Sequence, residues 1–443
     1  MRRFLDAIDR FVDTEGYRKS EECDVCRKQI TRSEFERFVI SDPETGEPVL
    51  HLCRTCYELW HLGGKLPKTE VFVRTGKDFR EDHRKSVELP FSRFHWLDSA
   101  KLLESVSFPE GSEVLLRNTL DPRGVPAGYV PIPYVVADYA KLTEDGNIMD
   151  LEKLAENSVG AGRIAVLKAD VDDLGLIFGT GLPKTNPALV ANLSRLLDYF
   201  FKAYLNSIIR GEVSIGRNLP ELPTARELGA EKHPGNHGTK ANIVVVYAGG
   251  DDLFILGAWN EIFNLAFRIR ELLREYTGRN PNVTLSAGIG TFPHSYQVER
   301  MAIVTEERLE TAKDEGKDRI CLMGRSIPED GTFTVSYPWG LYSELWRKYG
   351  KPFHIGAGKL ALNGKEVPKS ALWKLLEFRE LYSMDPLGVS WSYLAAYHLS
   401  RAGLDESMKD IVALDVRKYR AGEPQEIFWI DGILKILLMA VRR

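Results

Sequence analysis

Gly249, Gly250, Asp251 and Asp252 stand between two apolar runs, Ile243 to Tyr247 and Leu253 to Leu256. That pattern predicts a β-hairpin with Gly249-Gly250 as its turn. Glycine takes positive φ without strain and lets a ligand approach the backbone closely. The adjacent carboxylates repel one another unless a cation lies between them. These residue types are also ordinary turn formers, so the four alone fit a structural hairpin as well. Their surroundings decide between the two.

Strands alternate with helices from residue 161 to about 325. Ile164 to Ala169 is an apolar run ending in Asp170, the pattern of a strand buried on both faces. Leu189, Leu193, Leu196, Leu197, Phe200, Tyr204 and Ile208 mark one face of a helix, with Pro187 in its first turn. Residues 211–240 read as a long loop. The hairpin follows, then a helix over Ile262 to Leu273, a strand over Val283 to Ile289, a helix over Val298 to Lys313 and a strand over Arg319 to Leu322. Strand-helix-strand-strand-helix-strand is the ferredoxin-like, split βαβ order. The first two strands are expected side by side, which would bring Asp170 to the Asp251-Asp252 turn. Converging carboxylates of this kind suit magnesium or manganese, whose remaining positions substrate phosphates can fill. A pair of such ions can activate an attacking 3′-hydroxyl and stabilise departing pyrophosphate.

Four stretches differ in texture, which predicts an α+β chain. Residues 1–60 form a four-cysteine module opening on an amphipathic helix, and 61–160 a β-rich linker or remnant of a preceding domain. The palm-like, GGDEF-like cyclase domain occupies 161–330, and 331–443 an α-helical domain with a closing helix over Ile427 to Val441. The 443 residues carry a formal charge of −4, so no global excess of positive charge points to nucleic acid. No segment has the apolar core of a signal peptide or the length to span a bilayer, and a cytoplasmic location without membrane contact is expected.

Cys23-x-x-Cys26 and Cys53-x-x-Cys56 have the spacing of a tetrahedral zinc site. Four thiolates leave no open position, so such a zinc is structural. Disulfides or an iron–sulfur cluster are the alternatives. Cys321 lies in an apolar strand and reads as a core residue.

Lys168-Ala-Asp-Val-Asp-Asp-Leu-Gly-Leu-Ile-Phe, Tyr247-Ala-Gly-Gly-Asp-Asp-Leu-Phe, Ser286-Ala-Gly-Ile and Ala312-Lys-Asp-Glu-Gly-Lys occur in this order. Together with the preceding cysteines and helical tail they resemble the second palm of the large polymerase/cyclase-like subunit of type III (Csm-type, III-A) CRISPR effector complexes. The resemblance covers nearly the whole chain. It implies a nucleotidyltransferase that makes cyclic oligoadenylates from ATP once the complex, with its other subunits and CRISPR RNA, captures target RNA. Asp170 and Asp251 would hold the metal ions, with Asp252 beside them and the Val171 carbonyl as a further ligand. Gly249 and Gly250 would admit the triphosphate, and Ser194 would contact adenine. Lys313 and Lys317, four residues apart and expected on one helical face, would grip the triphosphate. A solvated helix end beside Glu310 and Asp314 is their plain alternative.

The chain departs from that family in showing no His-Asp nuclease pair and no first palm. It therefore reads as a C-terminal portion whose ATP cyclisation would need the missing palm, and no DNase activity is expected. A diguanylate cyclase is a second reading, weakened because Leu-Phe follows the aspartates where those enzymes carry Glu-Phe. The third is a ribonucleoprotein scaffold that merely binds nucleotide. Asp172 and Asp173 read equally as caps of the next segment. Trp339, Trp346, Trp373, Trp391 and Trp429 read as core or interface anchors.

Overall fold

The computed structural model describes residues 21–41, 45–79, 86–119, 121–181, 186–213, 219–236, 238–322, 336–356, 358–386 and 388–442. The helix expected at the N-terminus lies outside them. The chain divides after Val135 into two compact units.

The first unit begins with two small hairpins, β1 (Glu21–Glu22) with β2 (Gln29–Ile30) and β3 (Val39–Ser41) with β4 (Pro48–His51). Helix α1 (Arg32–Arg37) lies between them, and α2 (Arg54–Gly63) follows. A Thr31–Glu34 capping box starts α1. Next come β5 (Val71–Thr75), β6 (Ser86–Glu88), β7 (Arg93–Leu97), β8 (Glu113–Arg117) and β9 (Val130–Tyr134), in sheet order β6-β7-β5-β8-β9. Period-two alternation sends Val71 and Val73 into one core with Val114, and Phe72 into another with Val87 and Trp96.

The second unit is built on a sheet of order β11-β12-β10-β13-β14-β15 among the described residues. Its strands are β10 (Ile164–Val171), β11 (Ile243–Gly249), β12 (Asp252–Ala258), β13 (Leu285–Phe292), β14 (Arg319–Leu322) and β15 (Ser336–Pro338). The first four follow the split βαβ arrangement, with β10 antiparallel to both β12 and β13. This corrects the expected neighbour: β10 lies beside the second arm of the hairpin, and β11 is the edge strand.

Helices α3 (Leu151–Glu156), α4 (Leu174–Gly179), α5 (Pro187–Tyr199), α6 (Leu205–Arg210), α7 (Trp259–Tyr276) and α8 (Val298–Asp314) flank this sheet. One sheet face buries Ala165, Leu167 and Ala169 with α7, and the other buries Ile164 and Val166 with Met301 of α8. The long helix expected through Ile208 is interrupted by a π-helical turn, Phe200–Tyr204. Phe201 and Leu205 lie in the core, while Leu189 and Leu196 are exposed.

Two expected boundaries shift. Residues 136–160 pack with the palm: Tyr139 donates from its hydroxyl to the Ala241 carbonyl at 3.1 Å, and Ala140 bridges Val244. The C-terminal segment is not all helix, because β15 extends the palm sheet and β16 (Phe353–Gly356), β17 (Lys359–Leu362) and β18 (Lys365–Val367) form a meander. Leu360 and Leu362 are buried there at period-two spacing. Helices α9 (Trp339–Leu345), α10 (Lys369–Met384), α11 (Ser390–Arg401), α12 (Asp405–Val412), α13 (Val416–Ala421), α14 (Glu426–Trp429) and α15 (Asp431–Ala440) complete the unit. The expected closing helix is broken at Ile430 into α14 and α15. Trp339, Tyr342 and Trp346 join Phe263 and Phe267 of α7 in one core, so palm and tail are a single packed body. No helix among the described residues is long and apolar enough to cross a membrane.

Candidate active site

The β-ladder delivers Asp170 directly opposite Asp252, and on its other side opposite Ser286. Gly249 and Asp252 close the hairpin as a pair. The turn is therefore Gly250-Asp251, one residue further on than Gly249-Gly250, and Gly250 takes φ +66°. The Val171 N–H donates to the Asp251 carbonyl at 3.1 Å, tying the turn to the end of β10.

Lys313, in the last turn of α8, places Nζ 2.5 Å from Asp170 Oδ2 and 3.6 Å from Glu310 Oε1. Burial pushes the Asp170 carboxyl above the usual carboxylate range; Lys313 opposes that rise, while Asp251 and Asp252 add to it. Burial also disfavours the Lys313 charge, but the Asp170 contact outweighs it and raises its pKa. Asp170, Asp251, Asp252 and Lys313 line one cavity of about 500 Å³ between the sheet and α8. Gly249, Gly250, Val171, Ser194 and Lys317 are not among its lining residues. Ser194 is exposed on α5.

Lys317 does not share a helical face with Lys313. Helix α8 ends at Asp314, and Gly316, Lys317 and Asp318 all take positive φ. The Lys317 ammonium turns to Asp173 Oδ1 at 2.5 Å. Asp172 and Asp173 do not serve as side-chain caps of α4 either. Asp172 is buried and accepts from Thr284 Oγ1 at 2.8 Å, Ser286 Oγ at 2.6 Å and the Asp318 N–H at 3.0 Å. It fastens the loop after α8 to the end of β10.

Three further residues of the cavity escaped the motif reading. Lys168 lies two residues before Asp170, hence on the same strand face, and pairs with Glu306 of α8. Its ammonium is 5.7 Å from the Phe254 ring centroid. Tyr247 reaches the cavity from β11, and the Asp252 carboxylate raises its phenol pKa. Period-two and i, i+7 spacing from Asp170 and Lys313 point to Lys168 and Glu306. No such signal marks Tyr247.

In the first unit the four sulfurs of Cys23, Cys26, Cys53 and Cys56 lie within 4.8 Å of one another. The Cys26–Cys53 separation of 3.7 Å matches the tetrahedron edge of about 3.8 Å set by metal–sulfur bonds of about 2.3 Å. Asp24 joins the two halves, accepting from the His51 N–H at 2.6 Å while its own N–H donates to the His51 carbonyl at 2.9 Å. The His51 ring stacks on Phe35. Burial pushes the Cys23 thiol up, but the N–H groups of Cys26, Cys53 and Val25 bring it down to about 6. Cys56 moves the other way through burial and its neighbouring sulfurs. This donor set fits a closed four-thiolate metal centre. Cys321 is fully buried in β14, and burial raises its thiol to about 12.

Comparison with known proteins places these features. The family model "Cas10/Cmr2, second palm domain" matches residues 163–321. Over 424 residues the chain is 43% identical to the Cas10/Csm1 single-strand-specific deoxyribonuclease of the subtype III-A CRISPR system of Thermococcus onnurineus, covering 95% of this chain and 50% of that protein. Over nearly its whole length the chain is similar to Cas10/Csm1 proteins. It spans about half the length of that relative. A crystal structure of a Csm1–Csm4 cassette in complex with one ATP superposes with a TM-score of 0.72 at 42% identity, over 87% of this chain and 50% of that one. A Csm1–Csm4 cassette in complex with cA4 gives 0.72 at 40% identity, over 88% and 50%. Residues 163–321, which match the second-palm model, thus include the strands on which Asp170 and the Gly250-Asp251 turn meet.

Proposed function

We propose that this chain is the cyclase-bearing part of a type III-A CRISPR effector subunit. It binds ATP and joins it into cyclic oligoadenylates when the assembled complex holds target RNA. The observation that carries this reading is the direct pairing of Asp170 with Asp252, beside Asp251 and Lys313, in one cavity. Related chains solved with ATP and with cA4 support the substrate and product class.

Asp170 and Asp251, with Asp252 beside them and the Val171 carbonyl near, would hold magnesium or manganese. Those ions supply charge neutralisation at an attacking 3′-hydroxyl and a departing pyrophosphate. Lys313 offers a cation to the triphosphate, and Lys317 a second one from the loop beyond α8. Gly249 and Gly250 add no side chains of their own at the turn, and Ser194 is assigned to adenine by family resemblance. The cysteine centre would hold a structural zinc. Csm4 and other effector subunits, CRISPR RNA and target RNA are the partners, in the cytoplasm.

The test is the assembled complex incubated with labelled ATP and target RNA. Asp251→Ala combined with Asp252→Ala should abolish oligoadenylate formation. Unchanged product yield sinks the assignment.

A further inference from the structure

Outside the cavity, the turn is gripped by a pair that no motif marks. The Gly250 N–H donates to Asp198 Oδ1 at 3.0 Å. Asp198 Oδ2 accepts from Lys202 Nζ at 2.7 Å. Lys202 Cε lies 3.2 Å from where a Cβ on Gly249 would stand, so its stem covers the first glycine while its head holds the carboxylate. Asp198 sits in the last turn of α5, and Lys202 lies within the π-helical turn Phe200–Tyr204. That turn places Phe200 and Phe201 in the core, anchoring the segment that carries both residues. π-Turns inside helices recur at functional sites because they re-aim side chains that a regular helix would direct elsewhere.

We propose that Asp198 and Lys202 are positioning residues for the metal-binding hairpin. By fixing the Gly250 N–H they set the turn, and with it where Asp251 and Asp252 stand relative to Asp170. The proposal rests on the palm reading above. A half-exposed i, i+4 ion pair by itself contributes little to stability, so the pair's role lies in its contact with the turn. Gly250 takes φ +66° and lacks a side chain, so this contact restrains the turn from one side while the Val171 N–H, bonded to the Asp251 carbonyl, restrains it from the other. Burial pushes the Asp198 carboxyl up, but the Lys202 ammonium and the Gly250 N–H hold it below the usual carboxylate range, so the acceptor stays ionised. Neither residue lines the cavity; both act through Gly250.

The test measures oligoadenylate formation by the assembled complex across a manganese titration, with thermal unfolding of each full chain alongside. Asp198→Ala removes the acceptor, and the half-saturating manganese concentration should rise at least about tenfold. The KM for ATP at saturating manganese should stay within about twofold, since uniform substrate binding is untouched. Asp198→Asn keeps an oxygen acceptor for the Gly250 N–H and should return the manganese requirement to within about threefold of the parent. A merely structural ion pair would not show this rescue, because Asn breaks that pair as fully as Ala does. Asp198→Ala within about twofold of the parent, or Asp198→Asn as impaired as Asp198→Ala, overturns the proposal. If Asp198→Ala does not fold, Lys202→Met decides: a rise of about threefold supports the clamp and no change overturns it. Activity retained in the Asp251→Ala, Asp252→Ala double variant overturns the palm reading and the clamp together. Loss there with an unaffected Asp198→Ala overturns the clamp alone.

Discussion

The Lys313 ammonium lies 2.5 Å from Asp170 Oδ2, joining the last turn of α8 to the end of β10. Burial, with Asp251 and Asp252 adding to it, still holds the Asp170 proton above the usual carboxylate range despite that contact. Between the ordinary and the raised pKa the folded chain binds more protons than the unfolded one. Cation-free protein should therefore lose stability as pH rises through that window. Cation binding needs the carboxylate, so manganese affinity should increase with pH over the same window. Lys313→Met removes the charge that opposes the rise and should move both transitions to higher pH. Thermal unfolding at a series of pH values, with and without manganese, checks both signs. Cation-free stability that climbs through this window would rule out the raised Asp170 titration.

Much of this site is legible from residue order alone. Asp170, Asp251 and Asp252 are found because a strand end and a hairpin turn are local events, written in runs of apolar residues and glycines. The four cysteines are found because paired-cysteine turns are local as well. The pairing partner of β10 is not local, and adjacency in sequence points to β11 where the sheet uses β12. The one-residue shift of the turn has the same origin, since Gly249 is claimed by the ladder as the partner of Asp252. Lys317 is misplaced because Gly316 ends the helix before it, and spacing of four means a shared face only while the helix lasts. Asp198 carries no motif at all. Its role exists only where α5 meets the turn.

Gly288 on β13 shows how closely α8 approaches the sheet. A Cβ there would stand 2.6 Å from the Leu309 N and 2.7 Å from the Thr305 carbonyl oxygen, both backbone atoms. Helix α8 would have to move outward, carrying Lys313 with it. Gly288→Ala should destabilise the second unit by about 1–3 kcal/mol, the range for overpacking a close contact. It should also weaken ATP binding, which a purely local packing defect would not do. Denaturant unfolding and calorimetry with ATP and manganese measure the two effects. A stable variant with parental ATP affinity would show that the approach of α8 is unimportant to the site.

The family match ends at residue 321, but the core does not. Trp339 donates from Nε1 to the Leu285 carbonyl at 2.8 Å, beside Ser286, the residue facing Asp170. Trp346 lies 5.5 Å from Phe263, and Trp339 5.2 Å from Phe267, between ring centroids. Removing a large buried aromatic costs about 3–5 kcal/mol. Losing Trp339, Tyr342 and Trp346 together approaches the whole stability of a domain, about 5–15 kcal/mol. A fragment covering 136–322 should therefore bind a hydrophobic dye and unfold without a cooperative transition. A sharp thermal transition in that fragment would show that the palm folds without the tail.

Around the cysteines, the buried apolar residues are few. Cys23 and Cys53 are joined there by only Ile30 and Leu52 among the described residues, with Phe35, Phe38, Leu50 and Tyr57 partly covering them. So small a core does not offset the entropy of ordering the segment, and a metal would contribute the difference, since structural zinc binds small domains with about 10–16 kcal/mol. Cys53 also caps α2, its Sγ accepting the Cys56 N–H at 3.5 Å. Cys53→Ser should reduce bound zinc from one ion per chain to nearly none, measured by elemental analysis. It should also speed hydrogen exchange in α1 and α2. A chelator should reproduce the effect on the parent chain, whereas a thiol reductant should not, because no disulfide is being relied upon. Visible absorbance in the purified protein would instead indicate iron and sulfide at the same four ligands. Slow exchange that survives both chelation and Cys53→Ser would mean the hairpins hold themselves, and the metal would then have no structural task.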